Sequence, residues 1–160
     1  MELYIDTMIN DKHTSFSLST DNILPNAIIF PQNKTLDFKK ISNISIIENI
    51  IVIVECDLNF NPVTDQTMLR KKNNISAIDW EGNYLWNISD IVGPLKIPFM
   101  SGNLWSKSQF DEFLNGSLYK YSTKSSEYTQ GHSIYICNTV SCGYIIDLND
   151  KKILYTYPCK

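Results

Sequence analysis

Five consecutive β-branched residues, Ile50-Ile51-Val52-Ile53-Val54, constrain the fold of this chain more than any other segment. Side chains branched at Cβ lose rotamer freedom in a helix and pack well on a pleated surface, which predicts a strand. Because the run is apolar at every position, and not at every second one, both of its faces must be covered by other residues. We therefore expect it to be a central strand of a sheet.

Short segments rich in Ile, Val, Tyr and Thr recur between clusters of Asn, Asp, Gly and Ser, which is typical of a sheet built from hairpins. Ile44 and Ile46 alternate with a serine before the central run, and Glu48-Asn49 is short enough for a tight turn between the two strands. Two further hairpins of one type are predicted over 75–88 and 143–157, each with a first strand that ends in Asp. Other predicted strands cover 3–5, 14–18, 27–30 and 132–137.

One helical segment is predicted over 108–116, where Ser108 is in position to cap the helix, apolar residues recur at three- and four-residue spacing, and Gly116 closes it. The expected fold class is therefore mainly β, a β-rich α+β protein. Its antiparallel, hairpin-built sheet forms a sandwich or a half-open barrel, with one short helix. At 160 residues, 43% of them hydrophobic, the chain can bury one core, so a single domain over 1–160 is expected.

Charge and composition argue against several classes of function. The net charge of -3 is small and acidic and basic residues are mixed, so no nucleic-acid partner is expected. No apolar run approaches the roughly 18 to 20 residues that a membrane-spanning helix needs. Residues 1–6 lack the basic and apolar regions of a secretory signal. We therefore expect a cytoplasmic protein with no membrane association and with its four cysteines reduced.

Motifs for the common chemistries are missing from the sequence. The glycines do not cluster into a phosphate-binding loop, and neither G-x-S-x-G nor H-E-x-x-H occurs, so no cofactor and no catalytic residue are expected. His132, Cys137 and Cys142 are three potential zinc ligands in one short stretch. Four residues separate the two cysteines, whereas zinc knuckles are tighter, so no metal is expected.

The two histidines define the enzymatic alternative. A metal-independent ribonuclease needs only two imidazoles as base and acid, and a lysine for the charge that develops on phosphate. His13 and His132 lie near the two ends of the chain and could meet across a folded sheet. The missing basic groove argues against an RNA substrate, so both are interpreted as lone surface histidines.

Aromatic residues are candidates either for the core or for an interface. Tyr84 and Trp86 are expected to share one face of a hairpin, where core packing would place them. Trp80 falls in a predicted turn and is the aromatic that core packing explains least. It is therefore the first aromatic to consider as an interface anchor.

Residues 48–54, an Asn- and Pro-containing loop, and residues 74–88 follow one another in an order that resembles a family of small bacterial proteins. In that family a hydrophobic strand and an Asn-rich loop precede a strand ending in A-x-D, a G-N turn and I-L-W-x-I. A hairpin of the form Y-x-I-D-x-x-x-x-K-I-L closes the pattern, and residues 144–154 match it here. The chain is thus similar to immunity proteins encoded beside contact-dependent growth inhibition toxins and related polymorphic toxins.

The resemblance implies a monomer that inhibits stoichiometrically. It would bind the C-terminal domain of a cognate toxin, expected to be a nuclease, and cover its active site. Such an interface buries about 1,200 to 2,000 Å², uses a few aromatic anchors and presents acidic groups to a basic surface. Candidate contact residues lie in the loop 57–74, in the turn after residue 79 and early in the predicted helix: Asp57, Asp65, Trp80, Glu81, Asp111 and Glu112.

Two other classes of function stay open. One is a small hydrolase or nuclease that uses His13 or His132, and the other is an adaptor module of a phage or secretion system. The resemblance covers residues 46–90 and 132–157, so the first 40 residues and the segment 99–131 lie outside it. Those two regions are candidates for partner specificity.

Overall fold

The structure, a computed structural model, describes residues 2–9, 12–19, 25–38, 40–55 and 73–159. In these ranges the strands form three antiparallel sheets and the helices are few and short, which confirms the mainly β prediction. The described residues fall into two compact units, here called unit 1, which holds the first eight strands, and unit 2, which holds residues 73 and 88–159. The single domain over 1–160 stays a prediction, and each unit is described by itself.

Unit 1 contains two four-stranded sheets, in each of which neighbouring strands are consecutive in the chain. The first sheet has the order β1-β2-β3-β4 and the second has the order β5-β6-β7-β8. The strands are β1 (Glu2–Ile9), β2 (Lys12–Ser19), β3 (Ala27–Ile29), β4 (Thr35–Asp37), β5 (Ile41–Ile47), β6 (Ile50–Glu55), β7 (Ile75–Asp79) and β8 (Tyr84–Asn87). All except β4 overlap strands predicted from the sequence.

The apolar run 50–54 lies in strand β6, one of the two inner strands of its sheet. Its residues 51–54 are at most 1% exposed, so both faces are covered as predicted. The predicted tight turn to β5 also forms, with Ile47 paired to Ile50. Glu48 adopts the left-handed conformation, at φ 46, that glycine would take more easily.

The two sheets of unit 1 enclose one hydrophobic core. Phe16, Leu18, Ile28 and Phe30 come from the first sheet and its flanking residues, and Ile51, Ile53, Ile78 and Trp80 from the second.

Trp80 is a core residue, which corrects its interpretation as an interface anchor. Its side chain is 8% exposed, its ring lies 5.4 Å from that of Phe16, and its indole Nε1–H donates to the carbonyl oxygen of Glu48 over 3.0 Å. The turn position is misleading because the two-residue alternation of β7 continues one step past the strand, so that Ile78 and Trp80 reach the same cluster.

Tyr84 and Trp86 do not share one environment, which corrects a second expectation. Trp86 is 3% exposed and Tyr84 is 64% exposed. The cause is a β-bulge in β8: Trp86 pairs with Ala77 and Tyr84 with Ile78, so Leu85 is an extra residue between them. One inserted residue ends the simple alternation on which the prediction depended.

Unit 2 contains one five-stranded antiparallel sheet with the order β10-β13-β12-β11-β9. Its elements are α1 (Ser89–Val92), β9 (Ser101–Trp105), α2 (Lys107–Asn115), α3 (Ser117–Lys120), β10 (Thr123–Lys124), β11 (Ile134–Asn138), β12 (Cys142–Asp147) and β13 (Lys152–Pro158). The strand and hairpin predicted over 132–157 are confirmed. None of the helices in the described ranges has the length and apolar character that crossing a bilayer requires.

The predicted helix is α2, but its N-cap is Ser106 and not Ser108. Ser106 Oγ accepts the backbone N–H of Gln109 over 3.2 Å, and Gln109 Oε1 accepts the N–H of Ser106 over 2.8 Å. This reciprocal pair is a capping box, which satisfies two N–H groups at the helix start. Phe110 and Phe113, on one face of the helix, pack against the unit 2 sheet on Ile134, Ile145, Leu154, Tyr155 and Tyr157.

Candidate functional site

The two hairpins predicted to be of one type share a detailed local construction. Asp79 Oδ1 accepts the backbone N–H groups of Glu81 and Asn83 over 2.9 and 2.8 Å. Asp147 Oδ1 likewise accepts those of Asn149 and Asp150, both over 3.0 Å. In both hairpins the second strand has one extra residue shortly after the turn, where the register shifts. Each aspartate therefore holds its turn through its own side chain.

His132, which precedes β11 in the chain, contacts the second of these turns. Its Nδ1 lies 2.8 Å from Asp147 Oδ2 and 3.7 Å from Asp150 Oδ2. The Asp147 side chain is fully buried, while that of His132 is 24% exposed. Lys152 Nζ lies 2.9 Å from Asp150 Oδ2 and through this hydrogen bond holds the pKa of Asp150 below its ordinary value.

These three side chains could in principle hold a metal ion, since one ligand atom of each of His132, Asp147 and Asp150 lies within 4.8 Å of the others. The protein's own donors already occupy them. Both oxygens of Asp147 accept hydrogen bonds, and the Asp150 oxygen is paired with Lys152. In the first hairpin, Asn83 Nδ2 donates to Asp79 Oδ2 over 3.0 Å, which is the position that His132 Nδ1 takes at Asp147. His132 is thus explained as the donor that satisfies a buried carboxylate.

The structure does not bring His132 together with the cysteines. His132 is hydrogen-bonded to Asp147, which pairs with Ile134 in the β11–β12 ladder. Cys137 lies three residues further along β11, opposite Tyr144. Cys137 is fully buried, and burial raises the pKa of its thiol far above the ordinary value, so it stays an unreactive thiol.

His13 lies in β2, opposite Met8, and its side chain falls outside the described part of the chain.

A second candidate site is a groove beside helix α2, of about 330 Å³, which we call the α2 groove. Two aromatic rings line it, those of Trp105 and Phe113, with centroids 6.0 Å apart. Gln109, Glu112 and Phe113 reach it together because residues three and four positions apart share one helix face. The described residues that line the groove are Trp105, Gln109, Glu112, Phe113, Gly116, Ser117 and Leu118.

Gly116 allows the chain to turn from α2 into α3 beside this groove. A Cβ atom at this position would lie 3.0 Å from the carbonyl oxygen of Glu112, closer than ordinary van der Waals contact. The small residue therefore permits a close approach, and Leu118 of α3 comes to line the groove with α2.

Further exposed apolar and aromatic side chains lie on and next to α3, and one of them, Leu118, lines the groove. Leu118 is 49% exposed, Tyr119 is 41% exposed and Tyr121 is 71% exposed. Tyr119 is held in place by edge-on ring contacts to Phe113 at 5.9 Å and Tyr155 at 5.7 Å. Ordered, exposed aromatics are the residue types that carry most binding energy in protein interfaces.

The charge in the groove comes from Glu112. It is the one charged residue among the described residues that line the groove, and no described cation lies within ion-pair distance of it. Asp111, its neighbour, is paired with Lys107. Of the two acidic candidates on α2, the structure therefore places Glu112 in the groove with a carboxylate that its surroundings do not neutralise.

The remaining candidates are placed elsewhere. Glu81 is exposed in the first hairpin turn, where its Oε2 accepts from Asn83 Nδ2 over 3.4 Å. Asp57 and Asp65 lie outside the described residues. Trp80 is buried, as stated above. Of these six candidates, Glu112 alone is among the described residues that line the α2 groove, and the aromatic residues there, Trp105 and Phe113, are not in the candidate set.

A second groove, of about 250 Å³, lies in unit 1 along the edge strand β5. Among the described residues that line it there is neither a charged nor an aromatic side chain: Leu18, Pro25, Ile41, Ser42, Asn43, Ile44 and Ile46. Its chemistry is less specific than that of the α2 groove.

No protein-family model, no curated protein and no solved structure matches the chain.

Proposed function

We propose that this chain is an immunity protein, which binds the C-terminal domain of a cognate toxin, a nuclease, in the bacterial cytoplasm and blocks its active site. The observation that carries the binding role is the α2 groove, where the half-buried Trp105 and the buried Phe113 lie beside the exposed Leu118 and the Glu112 carboxylate, which has no described partner. The class of partner comes from the resemblance of residues 46–90 and 132–157 to immunity proteins of toxin systems.

An inhibitor of this kind needs a surface and no reacting group. A stable complex buries about 1,200 to 2,000 Å², and a few aromatic anchors near its centre supply most of the affinity. Suitable anchors in this chain are Trp105, Tyr119 and Tyr121. The net charge of -3 favours encounter with a basic nuclease surface, because complementary potentials raise the association rate.

A hydrolase or nuclease that uses His132 is the second candidate. The observation in its favour is the buried Asp147, which orients the imidazole as an acid orients the histidine of a catalytic triad. The same aspartate arrangement at Asp79 has no histidine, and no described residue is hydrogen-bonded to His132 Nε2. The imidazole is therefore explained by the turn alone.

The test is co-expression with the toxin domain encoded next to this chain. We expect cells to survive only when both are present, and the two proteins to purify together. A Leu118→Ser/Tyr121→Ser double variant should lose both effects. Val140→Ser is the matched control, because Val140 is 53% exposed in the same unit but does not line the groove.

Two results would overturn the proposal. One is a lack of protection against the neighbouring toxin by the wild-type chain, which is what an adaptor module would give. The other is turnover of a nucleic-acid or ester substrate that His132→Asn abolishes, which would assign the chain to the enzymes.

A further inference from the structure

We propose that the α2 groove binds the guanidinium group of an arginine side chain, with Glu112 as its counter-ion and Trp105 and Phe113 as its aromatic walls. In the cell that arginine would belong to the toxin domain, so this identification of the partner rests on the proposed function. The chemistry of the groove is testable without the toxin.

The size of the groove limits what it accepts. At about 330 Å³ it is at the lower end of the range of small-molecule sites, which starts near 300 Å³. It holds one long side chain of a partner, and it is too small for a helix or a strand. The exposed Leu118, Tyr119 and Tyr121 then contact the surface from which that side chain projects.

The walls and the charge favour a cation. Aromatic faces attract cations that lie within about 6 Å of the ring centroid, and tryptophan does so best. The same helix already shows such a contact outside the groove, where Lys107 Nζ lies 5.9 Å from the ring centroid of Phe110. Glu112 adds a full negative charge at the groove, and no other described lining residue carries a charge.

An apolar side chain would fit less well. It would leave the exposed Glu112 carboxylate without a partner and would gain nothing from its charge. An arginine supplies that partner, because its fork of N–H donors matches the two carboxylate oxygens.

Arginine is favoured over lysine by the aromatic lining of the groove. A guanidinium stacks on aromatic rings and is more weakly hydrated than an ammonium group. The carbonyl oxygen of the Gln109 side chain is engaged with the N–H of Ser106, which leaves Glu112 as the acceptor for a bidentate pair.

The experiment uses short peptides and the whole chain. Acetyl-Gly-Arg-Gly-amide is titrated into ¹⁵N-labelled protein, and the indole Nε1–H signal of Trp105, assigned through a Trp105→Phe variant, is followed by NMR. The matched probes replace arginine by citrulline, its neutral isostere, by lysine or by leucine. We expect millimolar binding of the arginine peptide, weakened about fivefold or more by citrulline, and weaker binding at high salt.

The variants are Glu112→Gln and, as control, Asp111→Asn. Glu112→Gln should reduce arginine binding to the level of the citrulline peptide. Asp111→Asn should leave it unchanged, because Asp111 is an adjacent acid on the same helix that Lys107 already pairs. An unshifted Trp105 signal, equal binding of the leucine or citrulline peptide, or full binding by Glu112→Gln would overturn the inference.

The two proposals fail separately. If the arginine peptide does not bind but Leu118→Ser/Tyr121→Ser abolishes protection, the immunity function stands and the arginine site falls. If the peptide binds as expected but the chain gives no protection, the arginine site stands and the immunity function falls.

Discussion

His132 Nδ1 donates a hydrogen bond to Asp147 Oδ2 over 2.8 Å, and the carboxylate that accepts it is fully buried. The other oxygen of that carboxylate is engaged by the N–H groups of Asn149 and Asp150. The histidine is therefore the donor that completes the hydrogen bonding of a buried carboxylate, and its removal is expected to reduce stability.

His132→Ala should lower the free energy of unfolding by about 1–3 kcal/mol, because a buried acceptor loses its partner. His132→Asn should recover most of this loss, since the Asn amide nitrogen occupies the place of Nδ1, as Asn83 Nδ2 does at Asp79. His132→Gln has a longer side chain that places the amide further out, so it should not recover the lost stability. Urea unfolding measures all three, and equal stability of the Ala and Asn variants would contradict the structural role.

Gly143 lies opposite Tyr157, whose ring covers it. A Cβ at residue 143 would lie 2.1 Å from Tyr157 Cζ. Gly143→Ala should therefore destabilise the protein by about 1–3 kcal/mol, as overpacking does. It should also break the 2.5 Å hydrogen bond from the Tyr157 hydroxyl to Asn138 Oδ1.

The control for Gly143 is a double-mutant cycle with Tyr157→Leu. This substitution removes the ring atoms that a Cβ at residue 143 would overlap. In the double variant the two losses should be less than additive, as expected for residues in contact. Strictly additive losses in thermal unfolding would show that the ring does not rest on the glycine.

The helix cap gives a direct comparison of two nearby serines. Ser106→Ala should cost about 1 kcal/mol, because it removes the acceptor for the N–H of Gln109. Ser108→Ala lies inside helix α2 on an exposed position and should change stability by less than about 0.5 kcal/mol. Chemical denaturation measures the stability of both variants. A larger loss for Ser108→Ala than for Ser106→Ala would show that Ser108 is the N-cap.

Stability should fall in acid partly through Asp79. Burial alone would raise the pKa of this carboxyl, but hydrogen bonds from the Asn83 backbone and side chain and from the Glu81 backbone outweigh burial and lower it. A folded pKa below the unfolded one gives a contribution that is complete above the unfolded value and is lost as pH falls through the folded value.

The measurement for Asp79 is the stability difference between wild type and Asp79→Asn as a function of pH. The difference should be constant above about pH 5 and should shrink in more acidic solution. The two profiles staying parallel down to about pH 2.5 would be incompatible with a lowered pKa.

The elements that the sequence predicted are those set by local pattern. Residues 50–54 of strand β6 are all apolar, and the hairpins that contain Asp79 and Asp147 have their strand and turn residues within one short segment. The cap at Ser106 was also within reach, since Gln109 stands three residues later, but Ser108 offered a competing position.

The errors arose where one residue changes the register or where distant segments meet. Leu85 is an extra residue in β8, and nothing in its neighbours' polarity indicates the bulge. Trp80 is buried by contacts to Phe16 and Glu48, which lie 64 and 32 residues away in the chain. The α2 groove depends in the same way on the docking of α2 against the unit 2 sheet, which places Trp105 beside Phe113.

Because Asp79 and Asp147 hold their turns with donors two to four residues away, each hairpin is built almost entirely from contacts between near neighbours in the chain. Structure of that kind closes short loops and forms quickly, whereas pairing of distant strands is slow. We expect these two hairpins to be the first parts of their units to become protected from hydrogen exchange during refolding, and the later strands to add to a register that is already set.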